Sequence, residues 1–167
     1  MPRVTAVALL VSVRCRDAKT LETTVSSVFV AQTKDLPRAK VGGVDDPSVG
    51  WQGAFAAYGG HGTTASSTIV YEIEAGKRFG WHTDATEETQ YIPGRHGRTA
   101  NGGRQQASSR AGQRVRHPDA GPSRPVNTGK ETLRAVAFFA AAMFTQQFDN
   151  VMLPPDVHLL GTPNRTA

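Results

Sequence analysis

Cysteine is almost absent: the 167 residues contain one, Cys15, so no internal disulfide can form. That usage fits a reducing compartment, and the chain is expected in the cytoplasm. Acidic residues are scarce in one stretch. Between Pro93 and Val126 the chain has seven arginines and a single acid, Asp119. The same stretch has no Leu, Ile, Phe, Trp, Tyr or Met, and its apolar residues are four Ala and two Val. Little apolar surface there can offset an ordering entropy of about 1 to 2 kcal/mol per residue. Residues 93–126 are therefore expected to be irregular, without regular strand pairing. Long apolar runs are missing as well. The N-terminal MPRVTAVALLVSVRC has about ten apolar residues behind one arginine, too short a run to span a bilayer, and no small-residue cleavage site follows it cleanly. Residues 1–23 read as a loose N-terminal extension, and no membrane partner is expected.

The net charge of +5 and the pI near 9.8 ordinarily point to an anionic partner. Here the charge is local. Without its seven arginines and one acid, the remaining 12 basic and 13 acidic residues are close to neutral, at −1. An Arg- and Gly-rich arm that binds nucleic acid usually interleaves aromatic residues for stacking. This one has none, so nucleic-acid binding ranks third among the functional readings. With 17 Gly, 10 Pro and 38% hydrophobic residues, the chain fits a single turn-rich β domain, placed at residues 24–150.

Several strands can be read from the pattern. VSSVFVA at 25–31 is β-branched and aromatic. Ile69, Tyr71 and Ile73 alternate with Val70, Glu72 and Glu74, and EAGKRF then turns the chain toward His82 in what reads as a hairpin. RAVAFFAAAMF is open to helix because of its alanines. The polar turn at 128–130 before it favours a strand from Thr132 to Ala140. The last residues, 151–167, carry Pro154, Pro155 and Pro163 and are expected to run extended over the surface.

Chemistry concentrates at His82, Asp84 and Glu88. A histidine, a carboxylate two residues on along the same strand face and a second carboxylate four residues beyond can converge on one divalent cation. Imidazole nitrogen with carboxylate oxygen suits Fe, Mn, Zn, Ni or Co. Glu87 is an alternative to Glu88, and Gln90 and Tyr91 stand nearby. Phe79, Trp81 and Tyr91 read first as packing residues and second as pocket walls. His61 between glycines reads as a turn residue; His96 and His117 could serve as substitute ligands, but both lie in the arginine-rich stretch and are not chosen.

The run AGKRFGWHTDATEETQYI resembles the first conserved motif of the cupin superfamily: Gly, five residues, His-x-His, three or four residues, Glu and an apolar strand. Gly76, His82, Asp84 and Glu88 fall in that order, with Asp84 where the pattern has its second His. The second motif survives as Gly112, QRVRH, Pro118, Ser123 and Asn127, with Ser123 where the pattern has a metal-binding His. The resemblance spans roughly residues 28–139. It implies an all-β, antiparallel jelly-roll barrel and a metal-dependent protein that acts on a small molecule, of dioxygenase, isomerase or decarboxylase class. A non-catalytic ligand-binding or sensory protein is the alternative. Pairing of barrel edges would give a homodimer.

The damaged motif has an explanation in the genetic code. Arg, Gly, Pro, Ala and Ser enriched together are what GC-rich DNA yields out of frame. Read from the second base of each codon, RAGQRVRHP can become Gly-Pro-Gly-Ser-Val-Phe-Val-Ile-Pro, and the codon of Ser123 followed by that of Arg124 can become His. A double frameshift bounding 93–126 would therefore restore the motif. For the chain as written, loss of one ligand in four implies impaired metal binding.

Overall fold

The computed structural model describes residues 28, 30–93, 97–101, 106–109, 112–117, 121–154 and 156–163, with the backbone alone at 97–101 and 106–109. Its strands are β1 (Ala39–Gly43), β2 (Gly50–Ala57), β3 (Ser67–Ile73), β4 (His82–Asp84), β5 (Glu88–Ile92), β6 (Gly97–Asn101), β7 (Gln106–Ser109), β8 (Gln113–His117), β9 (Ser123–Val126), β10 (Leu133–Phe139), β11 (Thr145–Leu153) and β12 (Val157–Gly161). A 3₁₀ turn at Gly59–His61 is the only helical element among the described residues, so no described helix is long and apolar enough to cross a membrane. The expected N-terminal extension, residues 1–23, lies outside the described residues. So does most of the strand expected at 25–31.

The twelve strands make one antiparallel sheet in the order β7-β6-β9-β4-β11-β1-β2-β3-β10-β5-β8, with β12 added to β11. Its two ends, β7 and β8, approach each other, so the sheet curls into a nearly closed barrel. The alternation seen in the sequence decides which side chains enter it. On β3, Tyr71 and Ile73 are buried; on β10, Leu133, Ala135, Ala137 and Phe139 are buried while Arg134 and Phe138 face out. β10 pairs with β3 through seven residues, so RAVAFF is strand rather than helix, and the alanines that follow form a bend. Asn127 fixes the turn leading into it: its Nδ2 donates to the carbonyls of Ile73 and Glu131, both at 2.8 Å, and its Oδ1 accepts from the Gly129 N–H at 2.9 Å.

Three expectations are corrected. First, residues 93–126 contain four paired strands: β8 lies along β5 over five residues, and β6 pairs with both β7 and β9. The ladder uses backbone N–H and C=O groups that every residue except proline supplies in full, and the β8 arginines, Arg114 and Arg116, point into solvent. Low apolar content therefore does not prevent pairing where a neighbouring strand already stands. Second, β3 and β4 are not a hairpin. The turn forms, with Gly76 at φ 75° and the Lys77 N–H donating to the Glu74 carbonyl at 3.0 Å. The chain then crosses to the other side of the barrel, where β4 pairs with β11 and β9. Third, residues 157–161 are paired as β12 rather than lying free over the surface.

Candidate metal centre

His82 and Asp84 occupy alternate positions of β4, and Glu88 begins β5; all three are buried, at 2–3% exposure. Their donor atoms lie within 4.8 Å of one another, a separation that a single cation can bridge. The spacing read in the sequence is therefore realised. Glu87 is not part of the set: its side chain is half exposed and pairs with Arg116 on the outer surface.

The neighbours hold each donor in a ligating form. His82 is led in by Gly80, whose φ of 98° strongly favours glycine. The His82 Nδ1 lies 3.1 Å from the Gly80 carbonyl. With the Nδ1 proton donated there, Nε2 is left unprotonated and faces the carboxylates, 3.7 Å from Asp84 Oδ2. Phe79 and Phe148 pack against the imidazole, with ring centroids 4.9 and 5.1 Å away. Gln146 Nε2 donates to Asp84 Oδ1 at 2.8 Å, which leaves Oδ2 for the centre. The Tyr71 hydroxyl donates to Gln90 Oε1 at 3.0 Å, and Gln90 Nε2 donates to Glu88 Oε2 at 2.9 Å, a relay that fixes the second carboxylate.

Burial sets the protonation of this cluster. It pushes the Glu88 carboxyl well above the usual carboxylate range, with a further push from Asp84. Asp84 is raised by burial too, against the opposing pull of His82 and Gln146. The imidazole of His82 is lowered by burial. Neutral imidazole and carboxyl groups that give up protons only for a compensating charge are what a divalent cation would meet here.

Other residues fall as follows. Ser123 is buried opposite His82 with its Oγ 3.3 Å from Nε2, so the position is within reach of the centre although its side chain is a hydroxyl. Gln90 supports Glu88 as described, whereas Tyr91 is exposed on the outer face. Phe79 is core, stacked on Trp51 at 4.2 Å, and Trp81 carries the Arg124 guanidinium over its ring at 4.6 Å. His61 packs edge-on against Tyr58 at the 3₁₀ turn, and His96 lies outside the described residues. Tyr71 and Gln146 carry no site signal in the sequence, and His117 only that of a substitute ligand. Tyr71 and Gln146 sit on strands distant in sequence, so only the pairing of the barrel brings them in. His117 is 3% exposed, with its basicity lowered to about 4 by burial and by the nearby His82.

A roughly 140 Å³ cavity borders the centre through Gln146 and is lined largely by apolar side chains, among them Val41, Trp51, Phe55, Ile69 and Phe144.

Barrel closure, strand order and a buried donor cluster on β4 and β5 can be set beside known proteins. No protein-family model matches the chain, and no curated protein matches it in sequence. Solved structures do match. Oxalate decarboxylase from Bacillus subtilis superposes with a TM-score of 0.56 at 17% identity, covering 59% of this chain and 28% of that one. The formate complex of Lactobacillus farciminis oxalate decarboxylase superposes at 0.63 and 17% identity, covering 75% and 37%. A cupin-like protein from Thermotoga maritima superposes at 0.52 and 14% identity, covering 60% and 71%. The fold is a cupin fold. The chain spans about a third of the length of the oxalate decarboxylases, and at these identities the likeness concerns architecture.

Proposed function

We propose that the chain is a metal-binding cupin acting on a small molecule, with His82, Asp84 and Glu88 as ligands of one divalent cation of the Fe, Mn, Zn, Ni or Co group. The observation that carries this reading is the convergence of three buried donors within 4.8 Å inside the barrel. Two buried carboxylates and a neutral imidazole bear a charge of −2 when ionised, which a divalent cation cancels. Without one, burial forces protons onto them. The donor set thus fits the group.

A bound cation supplies Lewis-acid polarisation of a substrate oxygen. The chain itself contributes position and dryness. Gln146 and the Tyr71–Gln90 relay hold the carboxylates, Phe79 and Phe148 pack against the imidazole, and the largely apolar pocket that Gln146 lines offers room for a small guest. Structural likeness to two oxalate decarboxylases supports small carboxylic acids as the first compounds to try. Incubating metal-loaded protein with oxalate and other small acids, with product detection, separates the readings. Turnover lost in His82→Ala supports a metal-dependent enzyme. Saturable binding without turnover supports a ligand-sensing cupin. Neither binding nor turnover by any small acid overturns the choice of substrate class.

A further inference from the structure

Among the described residues, His117 Nε2 is one of few buried side-chain polar atoms without a hydrogen-bond partner. Leaving such an atom unsatisfied is unfavourable, so its surroundings bear on function. His117 ends β8 directly opposite Glu88 on β5. Directly opposed residues of an antiparallel pair point to the same face, with Cβ atoms about 4.5 to 5.5 Å apart. Glu88 faces the barrel interior, and so does His117. The orphan imidazole therefore lies beside Glu88 on the neighbouring strand and on the same inward face.

Its chemistry fits what that cluster has room for. His82, Asp84 and Glu88 provide three donors, and Ser123, opposite His82, is a weak one. A neutral imidazole adds a fourth without disturbing the balance between two carboxylates and a divalent charge. A further acid or base in its place would upset that balance. His117 stands outside the 4.8 Å set in its present rotamer. Side-chain rotamer changes on binding are common, and a turn of this ring costs Nε2 no hydrogen bond.

Resting on the metal-binding reading above, we propose that His117 is the fourth protein ligand of the centre, making it a two-histidine, two-carboxylate site that offsets the absence of a histidine at 123.

Copper(II) titration followed by electron paramagnetic resonance tests this on the full chain, because coupling to imidazole nitrogens counts the coordinated histidines. The expected spectrum shows two nitrogens in the wild type and one in His117→Leu, which keeps an apolar filler of the cavity. Cobalt(II) affinity is expected to fall about 100-fold in His117→Leu, at the upper end of what loss of supporting residues costs. Thermal melting in chelator verifies that the variant folds, and His117→Gln serves as the second variant if it does not. One nitrogen in both wild type and variant, with cobalt binding abolished by His82→Ala, overturns the role of His117 and leaves the three-donor centre standing. No copper or cobalt uptake by the wild type overturns both.

Discussion

Glu88 lies 2% exposed with Asp84 beside it, and its carboxyl is held well above the ordinary value of 4.5 by burial first and by that neighbour second. A group that binds its proton more tightly when folded gives stability that is complete below its unfolded value and is lost as pH rises toward the folded one. In chelator, Glu88→Gln is therefore expected to melt at a higher temperature than the wild type near pH 8 and at about the same temperature near pH 4. The same variant should lose divalent metal uptake. A lower melting temperature near pH 8 would mean that the ionised carboxylate is stabilised by the protein itself. His117 runs the opposite way: lowered from 6.5 to about 4, it contributes stability above 6.5 that is lost as pH falls through 4. His117→Leu should flatten that acid limb. Gln146, which holds Asp84 Oδ1 at 2.8 Å, touches no metal in the proposed set. Gln146→Leu is expected to weaken cobalt binding by about 10- to 100-fold in a direct titration, the range typical of a partner that orients a ligand.

At the level of strands, β4 and β5 carry the donors and β11 supports them. Phe148 on β11 is 1% exposed and packs against both His82 and Phe79. Phe148→Ala should cost about 3 to 5 kcal/mol in denaturant unfolding and loosen His82 at the same time. Ile69, Tyr71 and Ile73 were legible as an inward face because alternation is a local property, and His82, Asp84 and Glu88 because their spacing lies within one short segment. The crossing of β4 to the far side of the barrel was not legible: the turn at Glu74–Lys77 forms in either topology, and the choice is made by β11, more than 60 residues away. The pairing of β8 was missed for a related reason, since its side chains carry little apolar signal while its backbone matches β5. Alternate amides of Gln113–His117 should therefore be protected in hydrogen exchange, and exchange at the unfolded rate would contradict the pairing. An out-of-frame origin remains our proposal for the composition of 93–126. That reading moves a histidine from 117 to 123, and the two positions pair with Glu88 and His82, so each frame puts one imidazole beside the centre. The nucleotide sequence over these codons decides: third bases that forbid His at 123 exclude the slip.

For the molecule as a whole, the basic charge and the interior make opposite suggestions about partners. Two of the arginines in the basic stretch are engaged at the surface, Arg116 with Glu87 and Arg124 over Trp81, and the described part of that stretch is built into the barrel wall. Filter binding with single-stranded DNA is expected to show no retention at either of two salt concentrations, whereas affinity that falls steeply with salt would restore the nucleic-acid reading. The interior is where this chain departs from a plain β-barrel, since three ionisable side chains replace apolar packing on β4 and β5, strands that are consecutive in the chain but apart in the sheet. Elemental analysis of the purified full chain after incubation with a divalent metal and desalting tests that departure most directly. The account predicts about one ion per chain in the wild type and its loss in each of His82→Ala, Asp84→Ala and Glu88→Ala. Equal metal content in all four proteins, or none in the wild type, would contradict it.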